Sequence, residues 1–281
     1  MNEIPRSWRL KLTTYSYVDE ATAKADGLIK SGDDGSVIIG VDSTNTYNST
    51  QPYWLINGVG RPSVRITSTK KYNHGLFIAD ISHMPGGVCG TWPAFWTLGD
   101  GTWPYHGEID ILEGANDQTT ELSSLHTAGE CSIAGDSRTE TGNFQAANCT
   151  YDVNTGANGA GCGVSSTDSN SYGLGFNANN GGVYAMQWTS DYIKIWFFQR
   201  GSIPSDIEAG TPTPDAWGLP TSNFQGDCNI DANFINQQIV FDVTFCGDWA
   251  GNTWNNSCAA ETGVSSCAAY VGDNPSAFAD M

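Results

Sequence analysis

The chain has 281 residues, with 30 acidic against 12 basic side chains and a formal net charge of −18. That length supports a substantial core, and a surface of that sign repels phosphate backbones, which argues against nucleic acid as a partner and leaves neutral polymers open. Only 15% of the residues are charged, and 33 glycines stand among abundant Asn, Ser, Thr and Trp, a composition of strands and loops rather than of a helical bundle.

Residues 7–19 mix aromatic and polar side chains and predict an opening strand. Ser36–Asp42 (SVIIGVD) predicts a short strand between Gly35 and Asn/Ser/Thr-rich text. Ser63–Lys70 alternates, with Val64 and Ile66 facing one way and Arg65 and Thr67 the other, as a half-buried strand does. Gly75–His83 predicts another strand, ended by Met84-Pro-Gly-Gly. Thr91–Gly99 (TWPAFWTLG), Gly107–Gly114 (GEIDILEG) and Thr120–Thr127 (TELSSLHT) follow, the last two as neighbours. Gly129–Asn180 loses every period and predicts a long loop, ordered by its three cysteines in place of a core. Val183–Arg200 predicts two strands turning at Ser190-Asp191, Gly201–Ile230 a second loop, Gln237–Gly247 a strand and Cys258–Val271 a short helix. About ten short strands joined by Gly-rich turns, with no repeat and no linker, predict one all-β domain over residues 1–281: a sandwich or jelly roll of two sheets with one face free.

None of the eight cysteines forms a CxxC pair and no His stands at zinc-finger spacing, so they read as disulfides rather than as a metal site. Cys258–Cys267 is the local bridge expected. Asn48, Asn148 and Asn255 open glycosylation sequons. MNEIPRSWRL lacks the apolar centre of a leader, and no run approaches membrane-span length. The expectation is a mature, secreted, extracellular monomer whose export signal has been removed, with no membrane partner, cofactor or metal.

GEIDILEG concentrates Glu108, Asp110 and Glu113 among Ile109, Ile111 and Leu112. Adjacent acids on a strand repel, and apolar neighbours make them harder to ionise, so stability alone gives little reason for the pattern. Alternation puts Glu108 and Asp110 on one face and sends Glu113 into the core, where an unpaired carboxylate is costly. One extra residue removes the conflict: a β-bulge near Ile111–Leu112 returns Glu113 to the face of the other two. Four rises of about 3.3 Å then separate the glutamate backbones by roughly 13 Å. Inward-leaning arms bring the carboxyls toward the separation of about 5 Å used in double-displacement glycoside cleavage. There one carboxylate attacks the anomeric carbon and the other protonates the leaving oxygen, and Asp110 between them holds a shared proton or hydrogen-bonds the nucleophile. A calcium-binding or solvated acidic strand is the alternative. His74, His83, His106 and His126 are scattered with no HExxH, and no GxSxG, P-loop or dinucleotide fingerprint points to other chemistry.

HGEIDILEG, with HMPGGVCGTWPAFWTLGDG (His83–Gly101), GRPSVRITS (Gly60–Ser68) and FCGDWAGNTW (Phe245–Trp254), resembles the fungal endo-β-1,3(4)-glucanases of glycoside hydrolase family 16, relatives of laminarinases and lichenases. The resemblance spans most of the chain. It implies a β-jelly-roll sandwich of two antiparallel sheets with a concave substrate cleft. It also implies a retaining endo-β-glucanase acting on β-1,3 and mixed β-1,3/1,4 glucans such as laminarin, lichenan and cereal β-glucan. The motif is the six-residue, bulged form rather than the shorter ExDxE. On it, Glu108 is implied as nucleophile, Glu113 as acid/base, Asp110 as the assisting carboxylate, and His126 as a neighbour of the three, or else a satisfied strand histidine. Aromatic faces stack on pyranose rings, so Trp96, Trp103 and Trp249 are expected in the cleft, Trp92 in either place, and Trp188 and Trp196 in the core. Arg61 is expected to contact sugar or to sit in a surface salt bridge, and Asn57 is a further cleft candidate. Two other functions suit the fold: a β-glucan-binding protein, which loses the glutamates, and a transglycosylase, which keeps them.

Overall fold

The computed structural model describes residues 17–47, 60–134 and 139–281, together with the backbone of Trp8–Leu10; Asn57 and the sequon at Asn48 lie outside the described residues. In chain order the strands are β1 (Trp8–Leu10), β2 (Ile29–Ser31), β3 (Val37–Ile39), β4 (Arg65–Ser68), β5 (Gly75–Ile81), β6 (Thr91–Leu98), β7 (Glu108–Glu113), β8 (Leu122–His126), β9 (Cys131–Ser132), β10 (Asn143–Ala146), β11 (Cys162–Ser165), β12 (Gly182–Trp188), β13 (Ile193–Gln199), β14 (Ser222–Phe224), β15 (Asp227–Cys228) and β16 (Gln238–Phe245). Eight form one sheet in the order β1-β4-β16-β6-β7-β8-β11-β10, and four form a second in the order β14-β13-β12-β5. The pairings in both are antiparallel.

Period-two alternation divides the two faces of the large sheet. Along β6, Thr91, Pro93, Phe95 and Thr97 are buried while Trp92, Ala94, Trp96 and Leu98 are half-buried. Phe95, Ile109, Leu112 and Leu125 meet Phe77, Tyr184, Met186, Trp188 and Ile195 of the small sheet in one apolar core. Phe95 and Phe241 stack within it at 4.5 Å. Each such side chain, fully buried, contributes about 1.5–3 kcal/mol. Trp188 and Trp196 are buried at 1% and 4% exposure, as expected of core residues. The opposite face of the large sheet, which carries Trp92, Trp96, Asp110 and Asp242, has no second sheet against it among the described residues. The architecture is the β-jelly-roll sandwich read from the sequence.

Several local expectations change. Within Ser36–Asp42 only Val37–Ile39 is strand, pairing with β2 in a small hairpin that leaves Val37 and Ile38 exposed. Residues 129–180 are not structureless: β9, β10, β11 and a helix at Gly173–Ala178 lie there, and β11 extends the large sheet beside β8. Cys-Gly-Val-Ser carries almost no periodic apolar signal; backbone pairing and the Cys149–Cys162 disulfide order it instead. Residues 201–230 likewise contain β14 and β15. The expected helix over Cys258–Val271 is two helices, Cys258–Thr262 and Cys267–Asp273, broken where Gly263 adopts φ 70°.

The expected Cys258–Cys267 bridge is wrong. The two cysteines instead reach back to the large sheet, as Cys89–Cys258 and Cys246–Cys267, while Cys131–Cys228 and Cys149–Cys162 complete the set. The physical reason is packing: Cys89 precedes β6, Cys246 follows β16, and both share an apolar cluster with Trp254, Val271 and Phe278 of the C-terminal segment. Cys89–Cys258 closes a separation of 169 residues and Cys149–Cys162 one of 13. Chain entropy then predicts that Cys89→Ala/Cys258→Ala costs about 5 kcal/mol and Cys149→Ala/Cys162→Ala about 3 kcal/mol, an ordering that urea unfolding of the two variants measures.

Candidate active site

β7 is preceded by a glycine that no other residue replaces without strain. Gly107 has φ 75°, and a Cβ there would lie 2.4 Å from the Asn233 carbonyl oxygen. The strand then delivers Glu108 opposite Leu98 of β6 and His126 of β8, and Asp110 opposite Trp96 and Ser124. Beyond Asp110 the register shifts: Leu112 faces Phe95, Glu113 faces Ala94 and Leu122, and Ile111 has no opposite residue in either ladder. This is the bulge that the spacing of the acids requires. Ile111 and Leu112 both enter the core, at 0% and 3% exposure, and Glu113 returns to the open face.

Each outer glutamate accepts a hydrogen bond from an indole. Trp103 Nε1 donates to Glu108 Oε2 at 3.0 Å, and Trp92 Nε1 donates to Glu113 Oε1 at 2.6 Å. His126 Nε2 stands 3.2 Å from Asp110 Oδ2 and 3.8 Å from Glu108 Oε1. Trp103 is 39% exposed, and its ring lies 6.1 Å from His126 and 4.6 Å from Tyr151. Trp249 meets Trp92 edge to face at 5.9 Å. Trp96 donates from Nε1 to Asp242 Oδ1 at 3.3 Å, with the Arg65 guanidinium 4.5 Å over its ring.

The three motif carboxyls are all held above the ordinary carboxylate range. For Glu108 the causes are burial and then the charge of Asp110, against pulls from His126 and the Trp103 hydrogen bond. For Asp110 they are burial and then Asp242. For Glu113 they are burial and then Asp110, with Glu108 adding to the rise and the Trp92 bond opposing it. Asp110, between them, raises both outer glutamates, and the two glutamates raise each other. Asp242 is pushed up to about 6 by burial, against the pull of Arg65 at 3.8 Å. Glu108, Asp110 and His126 also bring ligand atoms within 4.8 Å of one another.

The structure thus gathers Glu108, Asp110, Glu113, His126, Trp96, Trp103 and Trp249 around one face. Arg61 does not join them. It is 2% exposed, its Nε and Nη2 donate to the Val271 carbonyl and its Nη1 to that of Asp42, and its guanidinium lies between the Tyr47 and Phe278 rings. Both sequence readings of Arg61, sugar contact and surface salt bridge, are corrected: it clamps the 42–47 turn to the C-terminal segment, because each of its three guanidinium nitrogens donates to a carbonyl inside the protein. Asn57 is outside the described residues.

The profile described as "XgeA-like, catalytic GH16 domain" matches residues 13–281. The chain belongs to glycoside hydrolase family 16. Among curated relatives, a protein of Aspergillus niger named "Probable endo-1,3(4)-beta-glucanase" is 46% identical over 94% of this family 16 chain and 34% of its own length. The chain therefore spans about a third of that relative. A solved structure described as an elongating GH family 16 β-1,3-glucosyltransferase is 45% identical with TM-score 0.86, covering 98% of this chain and 91% of that one. Laminarinase 16A from Phanerochaete chrysosporium, described with β-glucans in donor and acceptor sites, is 41% identical with TM-score 0.85 over the same shares.

Two members of the family 16 site were missed or left undecided by sequence reasoning. Asp242 shares the face of Trp96 and carried the same signal as the motif, an acid at an alternating position of an apolar strand. Trp92 was left between cleft and core, and only its hydrogen bond to Glu113 decides its side. The electrostatics also set a pH dependence. Asp242 and the core-side Glu121, pushed by burial to about 6 and about 8, bind protons more tightly folded than unfolded, as do the motif acids. Their stabilisation is full below the unfolded values near 4 and is lost as pH rises through the native ones, by up to about 1.4 kcal/mol per pH unit and group. Asp42 and Asp100, held low by hydrogen bonds, act oppositely and lose their stabilisation in acid. Calorimetry at a series of pH values is expected to place the maximum Tm near pH ~4–5, with a fall toward pH ~8.

Proposed function

We propose that this chain is the catalytic domain of a secreted, retaining endo-β-glucanase that cleaves internal bonds of β-1,3 and mixed β-1,3/1,4 glucans such as laminarin, lichenan and cereal β-glucan. The observation that carries the reading is the bulge, which sets Glu108, Asp110 and Glu113 on one open face, each outer glutamate held by its own tryptophan. Names among the relatives support the substrate class. Four disulfides fit an oxidising, extracellular setting, and a charge of −18 fits a neutral polymer rather than nucleic acid or an anionic membrane. The protein is expected to work as a monomer over residues 1–281.

In this reading the Glu108 carboxylate attacks the anomeric carbon while the proton of Glu113 passes to the departing glycosidic oxygen and the C–O bond breaks. The Glu113 carboxylate then takes a proton from water, whose oxygen bonds to the anomeric carbon as the Glu108 ester is released. The reaction requires the proton affinity of Glu108 to lie below that of Glu113. Asp110, its Oδ2 3.2 Å from His126 Nε2, sits between them and keeps its proton or shares it, which limits repulsion among the three acids. Trp96, Trp103 and Trp249 offer ring faces and edges to successive sugars. A binding protein has no use for this costly cluster of buried acids. A transferase uses the same residues, with a sugar hydroxyl in place of water.

Glu108→Ala and Glu113→Ala are each expected to lower kcat on laminarin by about 10³-fold or more. With azide and an aryl β-oligoglucoside bearing a good leaving group, Glu113→Ala is expected to yield the β-glycosyl azide. Glu108→Ala, with the same aryl donor and azide, yields the inverted α-glycosyl azide. Interchanged products reverse the two roles. Product analysis on laminarin and lichenan, with and without an acceptor oligosaccharide, measures linkage preference and transfer.

A further inference from the structure

One buried acid of the large sheet has no part in the proposed reaction. Glu121 precedes β8, is 0% exposed and faces the core side, away from Glu108 and Asp110. Its backbone is pinned: the amide donates to Ser171 Oγ at 3.1 Å, and the carbonyl accepts from the Ser166 amide at 3.0 Å. Its Oε2 lies 3.1 Å from Ser123 Oγ. The same Ser123 Oγ lies 3.2 Å from the carbonyl oxygen of Ile111, the unpaired residue of the bulge.

Proton counting decides how these two bonds coexist. A serine hydroxyl has one proton, and a carbonyl oxygen only accepts. If Ser123 donates to Ile111, the contact with Glu121 is a hydrogen bond only when the carboxyl is the donor. The surroundings favour that protonated state. Burial pushes Glu121 up to about 8 against the pull of the Ser123 bond, and among the described residues no basic group opposes the rise. Its second oxygen, Oε1, has no hydrogen-bond partner, tolerable for the carbonyl of a neutral acid and costly for a carboxylate. The titratable group facing it across the core is the Tyr184 phenol of β12, itself tied to the Ser171 carbonyl and neutral.

We propose that Glu121, as a neutral acid, is a positioning residue that holds the β-bulge through Ser123 and so sets where Glu113 stands on the open face. The proton chain runs from Glu121 Oε2 to Ser123 Oγ and from Ser123 Oγ to the Ile111 carbonyl. The functional consequence rests on Glu113 being the acid/base; the proton chain itself does not.

Two measurements test it. Difference infrared spectra of wild type minus Glu121→Gln at pH ~6 are expected to show the C=O stretch of one carboxylic acid. Finding only carboxylate bands overturns the proposal, and this arm needs no disruptive variant. In kinetics on laminarin, Ser123→Ala and Glu121→Leu are expected to lower kcat about tenfold or more while KM changes less than about twofold, because a shifted bulge displaces the acid rather than the sugar-binding rings. Glu121→Gln, whose amide still donates to Ser123, restores most of that kcat. On an aryl β-oligoglucoside with a good leaving group, azide restores turnover of Ser123→Ala, since neither acid nor base assistance is then needed. Loss of kcat that azide leaves unchanged, or equal loss in Glu121→Gln and Glu121→Leu, overturns the positioning role. Glu113→Ala is the control. If azide fails to rescue that variant too, the acid/base reading falls, and the infrared band with the Gln-against-Leu comparison still decides the proton chain.

Discussion

A single unpaired residue in the middle of β7 is the constraint on which the placement of the three motif acids depends. Without the shift at Ile111, strict alternation would bury the Glu113 carboxyl between the two sheets, against Phe95 and Leu125. With it, two apolar side chains in succession enter the core and three acids stand on the other face. The bulge therefore satisfies core packing and carboxylate placement together, although neither alone calls for it. The glycines at both ends of the strand serve the same end. Gly107 turns the chain past Asn233, and a Cβ at Gly114 would strike the Tyr172 ring at 2.5 Å.

The open face is an electrostatic compromise. Three buried acids, Asp110, Glu113 and Asp242, and the half-buried Glu108 share a surface with one guanidinium and one imidazole. Fully ionised, such a group would repel itself and lose hydration that the indole donors of Trp92, Trp96 and Trp103 replace only in part. Protons therefore stay on part of the cluster. Asp110, standing between Glu108 and Glu113, raises both. The same burial that raises these groups makes the fold more stable when they are protonated.

The remainder of the chain braces that face. The C-terminal segment, which looks weakly structured as text, is bound by two disulfides, by the Trp254–Phe278 cluster and by Arg61, whose guanidinium is spent on its carbonyls. Trp249, at the head of this segment, in turn touches Trp92, which holds Glu113. On the far side, β11 lengthens the sheet beside β8, the strand that supplies His126 and Ser123.

Much of this was legible in the sequence. Alternation marked the central strands, the composition marked an all-β sandwich, and the phase of the three acids demanded a bulge at the place where one occurs. Those signals are local, since side-chain period and the cost of burying charge act over a few residues. What the text did not carry was long-range. Cys258 and Cys267 are near in sequence yet bond to Cys89 and Cys246, because helix packing and not loop length brings sulfurs together. Cys162–Ser165 is a strand because β8 offers it an edge. Arg61 looked like a surface residue until the C-terminal carbonyls closed over it. Trp92, Asp242 and Glu121 acquire meaning only from what lies across the sheet. The sequence by itself determined that three acids crowd one apolar strand and why their spacing needs a bulge. The tertiary structure alone decided which neighbours hold each of them, because hydrogen bonds, disulfides and burial are set by approach in space.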